Sequence, residues 1–132
     1  MLFRSLQVLD ELLAKEGQCL AFEPPYFGSA ATLGGMVAAG LAGPARASAG
    51  AVRDHVLGVK LLNGLAQELT FGGQVMKNVA GYDVSRFMAG SMGCLGIITE
   101  VSLKVLPQAP SQVTMVCSLS QEKALKIGRA HV

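Results

Sequence analysis

Residues 80–107 read AGYDVSRFMAGSMGCLGIITEVSLKVLP, and four glycines, at 81, 90, 93 and 96, crowd in just ahead of a run that alternates apolar and polar. In that run Ile97, Thr99, Val101, Leu103 and Val105 fall on one side of an extended chain, with Glu100, Ser102 and Lys104 on the other. A period of two with one apolar face is the pattern of a half-buried strand, and Pro107, which has no N–H for a ladder, ends it. Upstream, YDVSRFMAG predicts a short helical turn that carries Val84, Phe87 and Met88 inward and stops at Gly90. The order is helix, glycine loop, strand. A P-loop or a Rossmann loop runs the other way, from strand through glycines into a helix, so the G-x-x-G-x-x-G spacing of 90, 93 and 96 is not that fingerprint. Spacing alone leaves two readings open: a connection that needs positive φ, or a place where bare backbone lies against a ligand.

Working outward, Leu6, Leu9, Leu12 and Leu13 recur at helical spacing and Gly17 closes that helix. QCLAFEPPYFG passes from a short strand into a proline-stiffened loop. Thr32 is a good N-cap for LGGMVAAGLAG, a small-residue helix in which Gly34 and Gly35 each cost about 1 kcal/mol relative to Ala. VLGVKLL and AQELT flank Asn63-Gly64, the dipeptide of a two-residue hairpin. Beyond Pro107 and Pro110, SQVTMVCSL predicts a further strand with Val113, Met115, Cys117 and Leu119 on its inner face, opening a second subdomain. The fold class read from these elements is α+β.

Composition sets the chemistry that is excluded. The 132 residues are 51% hydrophobic, which argues against disorder, and 16 glycines with no Trp point to a core of small and aliphatic side chains. A net charge of +2 with no basic stripe makes nucleic acid an unexpected partner. Cys19, Cys94 and Cys117 are odd in number and far apart, which fits a reducing compartment and argues against a disulfide framework or a metal site. Charges every few residues in MLFRSLQVLDELLAKEG exclude a signal peptide or a membrane span there, and the apolar stretch 30–45 is too short, too rich in Ala and Gly, and broken by Pro44.

Three motifs in this order, FEPPYFGSAATLGGMVAAGLAGP, VRDHVLGVKLLNG and KNVAGYDVSRFMAGSMGCLGIITEVSLKVLP, resemble the second half of an FAD-binding domain of the vanillyl-alcohol oxidase or PCMH type, over about Leu12 to Pro110. Within that superfamily the likeness is to the E-subunit family of bacterial glycolate oxidases, more than to the D subunits or the D-lactate dehydrogenases. The resemblance implies a mixed sheet with flanking helices and a flavin held in a cleft between two α+β subdomains, largely by main-chain groups. It implies FAD contacts from Thr32, Leu33, Gly34 and Gly35, from Ala39, Gly40 and Ala42, and from the loop Met92, Gly93, Cys94, Leu95, Gly96, Ile97 and Ile98, with backbone N–H groups facing the phosphates. Met92 stands where many relatives have Glu and Cys94 where they have Thr; main-chain contacts survive such changes, a Thr hydroxyl does not.

By the same resemblance the chemistry is oxidation of a small 2-hydroxy acid, glycolate to glyoxylate, with hydride passing from the α-carbon to the flavin. The implied partners are a sister FAD subunit and an iron-sulfur subunit, in the cytoplasm or at the inner face of its membrane. The alternatives are a scaffolding subunit of that complex and a D-lactate dehydrogenase-like enzyme. No residue is assigned as catalytic, because the residues that bind the substrate carboxylate belong to a cap region that follows this domain. Residues 1–110 are expected to be a partial domain lacking the first FAD-loop subdomain, and 111–126 the start of that cap. IGRAHV, 127–132, does not continue the helix begun by SQEKALK and is expected to be read-through of non-native sequence. The remaining polar residues receive structural roles: His55 a surface position or a hydrogen bond ahead of a strand, Arg53 and Asp54 a local turn pair, Asp83 a helix cap beside Tyr82, Lys77 and Arg86 solvated charges, and Cys94 packing.

Overall fold

The structure, a computed structural model, describes residues 5–73 and 82–127. It begins with α1 (Leu6–Lys15), which buries Leu6 fully and Leu9 and Leu13 in part, and ends where Gly17 takes φ +63. The short strand β1 (Gln18–Cys19) follows, and then the chain dives through the buried Leu20 and Phe22. After the proline loop come α2 (Leu33–Ala39), the single turns α3 (Arg46–Ala49) and α4 (Val52–His55), and the hairpin strands β2 (Val56–Leu62) and β3 (Glu68–Gly72). The last elements are α5 (Val84–Phe87), β4 (Ile97–Leu103), β5 (Leu106–Pro107) and α6 (Gln121–Ile127). The class is α+β as read from the sequence, and every ladder among the described residues is antiparallel.

The centre is a three-stranded sheet in the order β3-β2-β4, with α2 against β4 and α5 against β2 and β3. Val56, Val59 and Leu61 of β2 and Ile98 of β4 meet Met36 and Val37 of α2, Met88, and Phe22 from the first loop. Apolar burial of this kind supplies roughly 25 cal/mol for each Å² removed from water, which makes these side chains the main source of stability. A second, two-stranded ladder joins Gln18 to Pro107 and Cys19 to Leu106 and ties the first turn of chain to the last strand.

The long strand expected from Ile97 to Pro107 is two strands; Val101, Leu103 and Val105 pack against the core as the alternation predicts, but ahead of Thr99 the inward face is reversed. Ile97 is 57% exposed while Ile98 is 5% exposed. The cause is a register shift: Lys60 pairs with Glu100 but Leu61 pairs with Ile98, so Thr99 is an extra residue on β4 and everything before it turns to the opposite face. The hairpin also departs from expectation. Leu62 pairs with Glu68, leaving a five-residue loop, and the positive φ falls on Ala66 (+57) instead of on an Asn63-Gly64 pair. Asn63 organises the loop through its side chain, whose Oδ1 accepts from Leu65 N at 2.9 Å and Gln67 N at 3.0 Å.

Three further expectations change. In the turn α5, Met88 and the neighbouring Val84 are covered but Phe87 is 70% exposed, and the small Ser85 takes the buried place. Residues 111–120 form no strand among the described residues, and Val113, Met115, Cys117 and Leu119 are exposed, because no neighbouring strand offers them a ladder. Ile127 is the last residue of α6, so the helix runs one residue further than SQEKALK; residues 128–132 lie outside the described residues, as do Lys77 and Gly81.

Candidate cofactor-binding site

Thr32 begins the site by ending a loop. Its backbone is extended (φ −112, ψ 152), and its Oγ1 accepts from Gly35 N at 3.2 Å, so α2 starts with one of its four orphan N–H groups satisfied. Thr32 and Gly35 line a cavity of about 300 Å³ together with Ala31, Leu41, Pro25 and Phe27. Leu33 is partly covered against the core and Gly34 is buried, so of the four residues implied here Thr32 and Gly35 face the cavity. Leu41, two residues beyond the helix, was not singled out by sequence; its position between Gly40 and Ala42 was the only signal.

At the other end of α2, roughly 10 Å away for seven helical residues, the glycine loop docks. Gly90 N donates to Val37 O at 3.0 Å, which also accepts from Gly40 N, and Met92 N donates to Ala38 O at 2.8 Å, so the loop adds donors to the helix's last carbonyls. Gly40 (φ +66) lies so near that a Cβ on it would stand 3.1 Å from Gly90 Cα. Of Ala39, Gly40 and Ala42, each partly covered, Gly40 is thus placed beside the same loop.

The loop itself turns through positive φ at Gly90 (+86), Met92 (+54), Gly93 (+79) and Gly96 (+147). That answers the crowding of glycines: three of the four positions are ones where a Cβ is costly, and the fourth, Met92, bears the strain. The N–H groups of Cys94 and Gly96 close back on Ser91 O and Gly93 O at 3.0 and 3.4 Å. Gly93 and Leu95 are the loop residues whose N–H has no backbone acceptor among the described residues. Among the described residues a Cβ on Gly93 would meet nothing within 4 Å beyond its chain neighbours, whereas one on Gly96 would come within 2.8 Å of Leu62 O. Met92, Leu95 and Ile97 are exposed and Cys94 is an exposed free thiol, while Ile98 belongs to the core.

The remaining polar residues take structural places. His55 is buried, with Nε2 3.0 Å from Ala49 O and its ring 5.2 Å from that of Phe22. Asp54 pairs with a backbone group in place of Arg53: its Oδ2 accepts from Ala51 N at 2.9 Å. Asp83 caps α5 through Arg86 N, accepts from Ser85 Oγ at 2.9 Å, and holds the Arg86 guanidinium at 3.1 Å, so Arg86 is paired and not simply solvated. On the far face of the sheet Lys60 Nζ donates to Glu100 Oε2 at 2.9 Å; that bond and the opposite charge raise the lysine pKa and lower the glutamate's. No helix among the described residues is long and apolar enough to cross a membrane.

A glycine loop that enters a strand is packed here against a capped small-residue helix in an α+β frame, the reverse of the strand-to-helix order of a P-loop or a Rossmann loop. The chain belongs to the FAD binding domain family, whose sequence profile matches residues 5–72. It is 51% identical over 120 residues to glycolate oxidase subunit GlcE of Escherichia coli strain K12, covering 91% of this chain and 34% of that protein. It is 33% identical to glycolate oxidase subunit GlcD of Bacillus subtilis strain 168, over 82% of this chain and 23% of that one. It is 31% identical to a mitochondrial D-lactate dehydrogenase (cytochrome) of Arabidopsis thaliana, over 87% and 20%. A solved structure of alkyldihydroxyacetonephosphate synthase superposes with a TM-score of 0.58 at 30% identity, covering 75% of this chain and 17% of that one. The chain thus spans about a third or less of the length of these relatives, and FAD is the cofactor its family defines.

Proposed function

We propose that this chain forms part of the flavin cleft in a subunit of a 2-hydroxy-acid oxidoreductase whose substrate is glycolate. The observation that carries the reading is the 51% identity to subunit GlcE across both loops of the site. In this reading the N–H groups of Gly93 and Leu95, which have no backbone acceptor among the described residues, meet phosphate oxygens, and Gly93 leaves open the space a Cβ would fill. Thr32, Gly35 and Leu41 give the cavity wall, and Met92, Leu95 and Ile97 present apolar surface that a bound flavin would cover and keep from water. FAD, when bound, supplies a two-electron acceptor for the hydride that leaves the α-carbon as the alcohol becomes a carbonyl. The protein's own contribution is orientation by main-chain groups. Such orientation does not depend on the side chains at Met92 and Cys94.

The reading extends to a sister FAD subunit, favoured by the additional likeness to a GlcD protein, to an iron-sulfur subunit, and to a cytoplasmic complex at the inner face of the membrane. The likeness to a D-lactate dehydrogenase supports a second reading, a single-chain enzyme for D-lactate. The test uses the protein expressed from the complete coding sequence that contains this chain, with its neighbouring subunits. The expected result is flavin absorbance in the purified subunit and glycolate-dependent dye reduction that disappears when this subunit alone is stripped of FAD. Reduction with D-lactate but not glycolate would favour the second reading. Undiminished glycolate oxidation after stripping would make this a scaffolding subunit.

A further inference from the structure

The proline loop and the turn after α2 are joined by a clasp that no glycine pattern announces. Phe22 O accepts from Gly43 N at 2.8 Å, and one residue on, the Glu23 carboxylate Oε2 accepts from Ala45 N at 3.2 Å. Arg46 N closes the turn on Gly43 O at 3.0 Å. The two backbones run so close that a Cβ on Gly43 would collide with the Glu23 carbonyl, and Glu23 itself takes φ +47, where a residue with a Cβ rarely rests. Phe22, fully buried, fixes one side of this clasp in the core. On the other side, two residues from Gly43, Leu41 lines the cavity shared with Thr32 and Gly35, while Glu23 does not line it.

We infer that Glu23 is a positioning residue for the flavin: its carboxylate holds the turn 41–45, and so the Leu41 wall, in the place that FAD meets. The inference rests on the FAD reading above. Glu23 acts through the Ala45 N–H, an acceptor role that a glutamine oxygen also fills and an alanine does not.

The experiment measures FAD dissociation constants by flavin fluorescence on the apo form of the protein from the complete coding sequence, with melting temperature recorded alongside. Loss of a charge-assisted hydrogen bond that orders one wall predicts a Kd raised about tenfold in Glu23→Ala. Glu23→Gln is expected to stay within about threefold of the unsubstituted protein, because the acceptor remains. Glu23→Gly removes the carboxylate but relieves the positive φ, so it is expected to match the affinity loss of Glu23→Ala while melting no lower than it. If Glu23→Ala and Glu23→Gly bind FAD as tightly as the unsubstituted protein, or if Glu23→Gln loses as much as Glu23→Ala, the clasp has no role in positioning. If the unsubstituted protein takes up no FAD at all, the FAD reading falls, and this inference with it.

Discussion

Two glycine-bearing turns meet at one end of the sheet, where Leu62 pairs with Ile97, and they are built by opposite means. The hairpin turn after Leu62 is organised by a side chain: Asn63 accepts two N–H groups and its Nδ2 donates to Gln67 Oε1 at 3.0 Å, while Gly64 has open space around it. The turn before Ile97 is organised by the main chain, through four positive-φ residues and two hydrogen bonds onto the carbonyl end of α2. The difference teaches what a glycine in a sequence can mean. In the first turn it is incidental to geometry that an Asx turn already provides; in the second it is the condition for backbone to lie against backbone and to leave room beyond.

The contrast breaks most visibly at Gly96. Gly96→Val forces a Cβ against Leu62 O at a φ of +147, and we expect a loss of about 3 kcal/mol or more, read as a large drop in urea midpoint or as insoluble protein. That outcome reports on the fold, so flavin loss in this variant carries little information about the ligand. A smaller effect is expected in the hairpin. Asn63→Ala removes the acceptor for two N–H groups at an exposed turn, and we expect a loss of about 1 kcal/mol with unchanged FAD content. Gly64→Ala is expected to fall within about 0.5 kcal/mol of the unsubstituted protein. A Gly64→Ala variant as unstable as Gly96→Val would erase the distinction between the two turns.

The smallest effect belongs to the exposed pair on the far face of the sheet. Glu100 has a lowered pKa, so its contribution is present above the ordinary glutamate value of 4.5 and fades as pH falls through the folded-state value. Lys60 has a raised pKa, so its contribution is complete below the ordinary value of 10.5 and fades as pH rises past it. Lys60→Met is therefore expected to flatten the acid limb of the urea-midpoint profile slightly and to leave flavin binding unchanged, since exposed pairs are weak. A large change at neutral pH would mean that the pair does more than its exposure allows.

Local chemistry was legible where a residue decides its own conformation. Thr32 caps α2, Gly17 ends α1, Asp83 caps α5, and β2 spans Val56 to Leu62 as its apolar run predicts. What was not legible depends on a partner. The Thr99 bulge is set by pairing with Lys60 and Leu61, and no alternation within β4 reveals it. The Glu23 clasp joins residues 22 apart through a backbone N–H, which carries no side-chain signature. Of the site, the two loops could be named from their motifs, but not that they dock at opposite ends of one short helix or that Ile98 turns into the core.

The central claim is that the glycine loop serves a ligand as well as the fold, and Gly93 tests it most directly, because a Cβ there would meet, beyond its chain neighbours, no atom of the described residues within 4 Å. The measurement is FAD content and FAD dissociation constant of Gly93→Val in the protein from the complete coding sequence, beside its urea midpoint. The account predicts a soluble, cooperatively unfolding protein that has lost its flavin, with a stability loss limited to the roughly 1–2 kcal/mol of a left-handed residue. Stoichiometric FAD retained at unchanged affinity would contradict it.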